Sequence, residues 1–324
     1  MSRIVAGISM SHAPLMLGEP DAPEPGARAR MAAAVRQIAE YLDAARPDLI
    51  IAFLDDHFEN HYRNLMPTLS IGVASSHAGP ADYWLKALKI ERKAPIPSDA
   101  AMSEWILGRL VRAGFDVARM GSIEYGNNLM VPLRLIRPRY DIPLVPIFLN
   151  VFSPPLMTMA RAYALGEAVR AAVEAAPGGA RVAFLATGGL SHWPPVWMPD
   201  SAPDDPFLPR MKRFQTEGRA VLEEDPELLT DLAVYEIEMA RQSKVPLVNG
   251  PWDRRFLDAL ARGDVDFVRG LPYEEIEAEA GHGGHEVLNW CAVMGAMQGR
   301  PARVLDYEPV VEWICGMGFA VYDL

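Results

Sequence analysis

RIVAGIS at Arg3–Ser9, a helix-periodic stretch over 27–46 and LIIAFL at Leu49–Leu54 decide the fold. The first piece is short and rich in β-branched residues. The last is a continuous apolar run, as expected of a strand covered on both faces. Between them Met31, Val35, Ile38 and Leu42 recur at spacings of four, three and four, which puts one apolar stripe on a helix. LGEPDAPEPG, just before the helix, is too rich in proline and glycine for regular structure, and Pro47 stops the helix. Strand, helix and strand within about 50 residues make a βαβ unit, so the two strands should run parallel.

The alternation continues along the chain. Helical pattern covers Met102–Val111, extended pattern Asp116–Met120, and PLVPIFLNV at Pro143–Val151 reads as a strand. An alanine-rich helix follows over Met157–Ala175, then the buried strand RVAFLA at Arg181–Ala186. Beyond Pro206 the pattern is mostly helical: Leu208–Glu224, Pro226–Ala240, Trp252–Arg262, Tyr273–Ala280 and His285–Met297. The prolines and aspartates of Trp193–Pro209 mark a long functional loop. The expectation is an α/β fold: a mostly parallel central sheet with helices on both faces and the active site at the carboxyl ends of the strands. No boundary interrupts the pattern, so residues 1–324 should form a single catalytic domain.

Composition narrows the function. Half the residues are hydrophobic and 23% are charged, which excludes a disordered chain, a collagen and a coiled coil. Lys+Arg is 31 against Asp+Glu 42, a formal charge of −11, so a phosphate backbone would be repelled and nucleic acid is not an expected partner. The apolar run Leu49–Leu54 is far short of the ~20 residues that span a bilayer, and the N-terminus does not read as a signal peptide. Two cysteines, Cys291 and Cys315, make no disulfide framework and fit a reducing cytoplasm. A soluble cytoplasmic enzyme or small-molecule binder is expected.

The histidines carry the chemistry. His12 lies three residues past the first strand pattern and His57 three past the second; His192 follows RVAFLA through Thr-Gly-Gly-Leu-Ser. Strand carboxyl ends of an open parallel sheet share one edge, where ligands bind. A histidine after one strand is an ordinary surface or capping residue, but three deliver imidazoles to one rim. His61 shares a face with His57 only if DDHFENH is helical; in a loop it is solvated or supports the site from behind. His77, in SSHAGP, reads as exposed. His282 and His285 flank glycines in GHGGHEVLNW, a tight turn into a helix with Glu286 in its first turn, where the helix dipole favours a carboxylate in any case. Two neutral imidazoles and a carboxylate with positions left open form the ligand set of non-haem Fe(II) oxygenases. Neither cysteine lies near these motifs to favour zinc or copper. His192 is then spare, and a histidine neutral near pH 7 suits acid–base work.

At these residues the sequence resembles the class III (LigB-type) extradiol ring-cleaving dioxygenases. The motifs are SHAP at Ser11–Pro14, DDH at Asp55–His57, MPTLSIG at Met66–Gly72, TGGLSH at Thr187–His192 and GHGGHEVLNW at Gly281–Trp290. NGPWDRRF at Asn249–Phe256 and EPVVEWICGMG at Glu308–Gly318 look similar to the 2,3-dihydroxyphenylpropionate 1,2-dioxygenase branch. The resemblance covers nearly the whole chain in order. It implies Fe(II) held by His12, His57 and Glu286, His192 as the acid–base at substrate and dioxygen, and insertion of both oxygen atoms into a catechol-type ring. In IEYGNNLMVPL, Tyr125-Gly126 stands where the family has His-Gly. A tyrosine donates a hydrogen bond but titrates near 10, so Tyr125 is either a substitute catalytic group or a packed aromatic.

The departure at Tyr125 points to a non-standard ring: a lignin-derived biaryl or methoxylated catechol, a gallate-like acid or an aminophenol. A zinc-dependent hydrolase on the same fold and a metal-free binding subunit are the competing readings. A Ser-His-Asp hydrolase lacks its G-x-S-x-G elbow. Arginines and lysines are plentiful, but the sequence places none of them beside a substrate carboxylate. The expected partners are a small aromatic substrate, O2 and further copies of the chain, as a homo-oligomer (dimer or larger). The apolar tail Trp313–Tyr322 either enters a subunit contact or closes the chain's own sheet.

Overall fold

The computed structural model describes residues 1–199, 201, 205–243 and 246–324. Its strands, in chain order, are β1 (Arg3–Met10), β2 (Leu49–Asp55), β3 (Leu69–Gly72), β4 (Ser76–Gly79), β5 (Ala94–Pro97), β6 (Ala118–Met120), β7 (Leu144–Leu149), β8 (Arg181–Thr187), β9 (Arg303–Val310) and β10 (Cys315–Tyr322). Eight of them form one sheet in the order β6-β3-β7-β2-β8-β1-β10-β9, and β4 and β5 form a separate two-stranded ribbon. The centre, β7-β2-β8-β1, is parallel throughout. β10 and β9 add an antiparallel edge, and at the other side β3 is antiparallel to β7 but parallel to β6.

β2 shows why the sheet is covered twice. All seven of its residues are buried. Ile51 and Phe53 point into a core shared with helices Ala100–Arg112, Met159–Glu174 and Val287–Ala296. Ile50, Ala52 and Leu54 point the other way, against helices Pro25–Ala45 and Asn127–Ile136. The period-two alternation of a strand turns a continuous apolar run into two buried faces. Two of the three helices on the first face are capped at their N-termini as sequence chemistry demands: Thr158 accepts from Arg161 N at 3.2 Å and Asp99 from Met102 N at 2.9 Å.

Two differences from the sequence reading have physical causes, and one open alternative is resolved. The helix read over Leu208–Glu224 is two, Leu208–Glu217 and Val221–Glu224, because Gly218 takes φ 85° and ends the first. The helix Asn127–Ile136 went unread because Pro132 sits inside it. The tail Trp313–Tyr322 supplies β10, which lies between β1 and β9 with all eight residues buried. It therefore closes the chain's own sheet. No helix among the described residues is long and apolar enough to cross a membrane.

Candidate metal centre and its cavity

The parallel register sets the rim. Met10 of β1 pairs with Thr187 of β8, and Phe53 of β2 pairs with Ala186, so the three strands end almost level. His12 lies two residues past β1, and His57 two past β2, whose last residue is Asp55. Glu286 comes from the opposite end of the chain. It closes the 3-10 turn His282–Glu286, which runs into helix Val287–Ala296. His192 hangs over the same point from the turn after β8, and the turn can approach because position 283 is glycine: a Cβ there would collide with the His192 ring.

Four of these side chains converge. His12, Asp55, His57 and Glu286 each offer one ligand atom, and these atoms lie within 4.8 Å of one another. His57 Nε2 is 2.7 Å from Asp55 Oδ2 and 3.1 Å from Glu286 Oε1; His12 Nε2 is 3.5 Å from Glu286 Oε2. His192 Nε2 stands slightly apart, 3.6 Å from Glu286 Oε1. Both ring nitrogens of His12 and Oδ2 of Asp55 are buried without a hydrogen-bond partner. Buried polar atoms are nearly always paired, so three orphans at one point, on two donor types that bind divalent ions, fit a metal ion shared among them. Charge agrees with this reading. Burial opposes ionisation of Glu286, yet His12 and His192 hold its carboxyl well below the usual range. Burial likewise disfavours a charged His57, but Asp55 and Glu286 raise its pKa well above the ordinary value, so the pocket calls for positive charge.

The residues behind the cluster fix its orientation. Asn127 Oδ1 meets His57 Nδ1 at 2.9 Å, while its amide donates to the backbone oxygen of His12 at 3.3 Å. Asn289 donates to Asp55 Oδ1 at 3.0 Å and to Thr187 O at 2.9 Å. Gly189 N donates to Glu286 Oε2. Such contacts hold metal-binding rings and carboxylates in one pose. The His192 turn is pinned as well: Nδ1 donates to Leu190 O at 2.8 Å, which leaves Nε2 as the free nitrogen of the neutral ring. Next to it the buried Asp253 accepts from Ser191 N at 2.7 Å, Ser191 Oγ at 2.8 Å and Tyr307 Oη at 2.6 Å, and burial pushes its pKa up to about 6. The NGPWDRRF motif thus supports the TGGLSH motif. Asp55, Asn127, Asn289 and Asp253 were not singled out from the sequence; DDH displayed Asp55, but the strand was read to end at Leu54 and Asp55 was given no role.

The other candidates sit elsewhere. Tyr125 is fully buried, with its ring edge-on to His77 at 5.7 Å and over Phe148 at 6.5 Å. Among the described residues it does not line the cavity beside the cluster. DDHFENH is not helical, and the backbone N of His61 donates to Asp56 Oδ2 at 2.8 Å. His282 donates to Pro194 O at 2.7 Å, and His285 stacks on Tyr273 and meets Glu277 at 2.9 Å.

His77 corrects its reading as exposed. It lies on β4, is 2% exposed, and burial pushes its pKa down to about 4. Unfolded, it would titrate near 6.5, so between the two values the unfolded chain binds the extra proton. Its contribution is complete above pH 6.5 and is lost as pH falls toward 4, by up to about 3 kcal/mol. Urea unfolding of the wild type and His77→Leu between pH 7 and 4.5 should show a shallower acid limb in the variant. Parallel limbs would refute the assignment.

A cavity of about 910 Å³, counted to its open mouth, lies beside the cluster. Phe58, Phe152, Phe214 and Trp313 supply aromatic walls, and His12, His57, His192 and Glu286 its floor. Pro194, Pro195 and Val196, on the loop that precedes helix Leu208–Glu217, line one side. That loop's residues 200 and 202–204 lie outside the described residues.

Comparisons with known proteins agree with this arrangement. A family model described as the catalytic LigB subunit of aromatic ring-opening dioxygenase matches residues 6–319. A Burkholderia vietnamiensis protein named 2,3-dihydroxyphenylpropionate/2,3-dihydroxicinnamic acid 1,2-dioxygenase is 32% identical over 95% of this chain and 94% of its own length. A Rhodococcus protein of the same name is 31% identical over 97% of this chain and 96% of its own. The crystal structure of an uncharacterized Escherichia coli K12 protein, 13% identical, shares the fold over 98% of this chain and all of that one, with a TM-score of 0.51. A family match of this extent, with relatives aligned nearly end to end, leaves one assignment: the chain belongs to the LigB family of catalytic subunits of aromatic ring-opening dioxygenases.

Proposed function

We propose that this chain is an Fe(II)-dependent extradiol dioxygenase that opens a catechol-type ring, with His12, His57 and Glu286 as the iron ligands. The observation that carries the reading is the convergence of these groups, with Asp55, on orphaned buried atoms at the floor of an aromatic cavity. The names of the curated relatives supply the vicinal diol. Ferrous iron held there would supply Lewis acidity toward the diol and a route for electrons between ring and dioxygen.

The chain's own groups do the rest. Asn127 holds the His57 ring through Nδ1, which leaves Nε2 for the metal, and Asn289 holds Asp55. The walls of Phe58, Phe152 and Trp313 orient the ring and keep water from the reacting carbons. His192, with Nδ1 tied to Leu190 O, presents Nε2 to accept a proton from the substrate hydroxyl and return it to product oxygen. Tyr125, away from the cavity wall, takes a packing role in this scheme. Cys291 and Cys315 are free and buried, in keeping with a reducing cytoplasm.

The test is oxygen uptake after anaerobic loading with Fe(II). One dioxygen should be consumed per catechol, with a near-ultraviolet or visible chromophore from the ring-opened acid. Zinc-loaded protein should be inert. Full activity with zinc, indifferent to oxygen, would remove the reading.

A further inference from the structure

The metal-bearing cavity offers no cation for a substrate side chain. Among the described residues that line it there is no lysine and no arginine, but there are two carboxyl groups besides Glu286: Glu59 and Glu236. Glu59 is 2% exposed; its Oε1 accepts from Trp84 Nε1 at 3.0 Å, and its Oε2 is buried with no hydrogen-bond partner. Glu236 reaches the cavity from helix Leu228–Gln242, and no described lysine or arginine forms an ion pair with it. Burial pushes the pKa of Glu236 up to about 7, as expected of a carboxyl facing an apolar space without a counter-ion.

Basic residues near these walls are engaged elsewhere. Arg63 donates to Phe152 O at 2.9 Å and Trp197 O at 2.7 Å. Lys212 lies 4.4 Å from the centre of the Trp197 ring. Arg219 pairs with Glu124 and donates to Glu59 O at 3.0 Å. None of the three lines the cavity.

A carboxylate taken into this space would lose its water, find no cation and meet like charge, or would have to take up a proton on entry. A hydroxyl or ammonium would instead donate to oxygens that have spare acceptor capacity, the orphaned Oε2 of Glu59 first. The curated relatives, by contrast, are named for acids, dihydroxyphenylpropionate and dihydroxicinnamic acid.

We propose that Glu59 and Glu236 set specificity: this cavity selects an aromatic diol whose ring substituent is a hydrogen-bond donor without negative charge, and discriminates against the carboxylate-bearing diols of its relatives' names. The inference rests on the ring-cleaving reading of the same site.

Three catechols that share one three-carbon substituent test it: 3-(2,3-dihydroxyphenyl)propionate, the corresponding propanol and the corresponding propylamine. Binding to Fe(II)-loaded protein is measured by calorimetry without oxygen, and ring opening by oxygen uptake. The alcohol and the amine should each surpass the propionate by about tenfold or more in Kd, the scale a buried unpaired polar group imposes on selectivity. Glu236→Gln and Glu59→Gln should each narrow that ratio by at least about threefold, chiefly by improving propionate binding or weakening the amine. Propionate binding as tight as the alcohol's, or an unchanged ratio in both variants, overturns the inference, as does failure of all three to bind. If the ratio is as stated but oxygen uptake is nil for every diol, ring cleavage falls while the discrimination stands.

Discussion

Glu286→Ala protein, loaded anaerobically with Fe(II) and desalted, is expected to retain almost no iron and to open no ring. His12→Ala should behave alike. Loss of a group that merely supports a metal ligand costs about 10–100-fold in affinity or activity, so removal of a ligand itself should cost at least about 100-fold. Glu286 is 1% exposed and touches His12, His57, His192 and the backbone of Gly189, so alanine there also leaves a polar hole. Glu286→Gln, which fills that space with one charge fewer, separates the two effects: it should keep the near-ultraviolet circular dichroism of the wild type and still lose iron. Asp55→Asn resolves the fourth carboxylate. If Asp55 only steadies His57, iron affinity should fall by about 10–100-fold and not vanish. Wild-type iron content in Glu286→Ala would end the ligand assignment.

His192→Ala is expected to give the opposite dissociation: iron retained and turnover lost. Positioned acid–base groups contribute about 10²–10⁴-fold, and kcat should fall by that factor. The ring is held through Nδ1 to Leu190 O, so its removal leaves the contacts of His12 and His57 in place. Diol binding measured without oxygen should change little. Undiminished kcat would show that His192 moves no proton in the slow step, and a parallel loss of iron would make it a ligand.

The frame of the site was legible because it follows from backbone rules. A βαβ unit fixes where strand ends lie, and His12, His57 and His192 were recognised by their offsets from those ends. Glu286 was harder: its first-turn position has a bland explanation in the helix dipole, and only the turn glycines and the motif order drew it in. Asp55 was hidden in plain view just past LIIAFL, because a sequence does not show that it ends the strand with an Oδ2 that lacks a hydrogen-bond partner. His77 was misread because polarity of the local string suggested a loop. Pairing of β4 with β5 and cover from Tyr125 are long-range facts that no local string carries. The Asn127–Ile136 helix was masked by Pro132, and with it the amide that grips His57. The absence of lysine and arginine among the described residues of the cavity wall is likewise a property of the assembled wall. Composition, with 31 basic residues, pointed nowhere in particular.

β1 is flanked by β8 and β10, so during synthesis this strand finds its two neighbours only when residues 181–187 and then 315–322 have been made. Until then the nascent polypeptide presents an apolar strand edge of the kind that chaperones shield and that otherwise seeds aggregation. The same chain order keeps His12 from meeting Glu286 until residue 286 has been made. If the site holds iron as proposed, loading would follow synthesis of this last ligand.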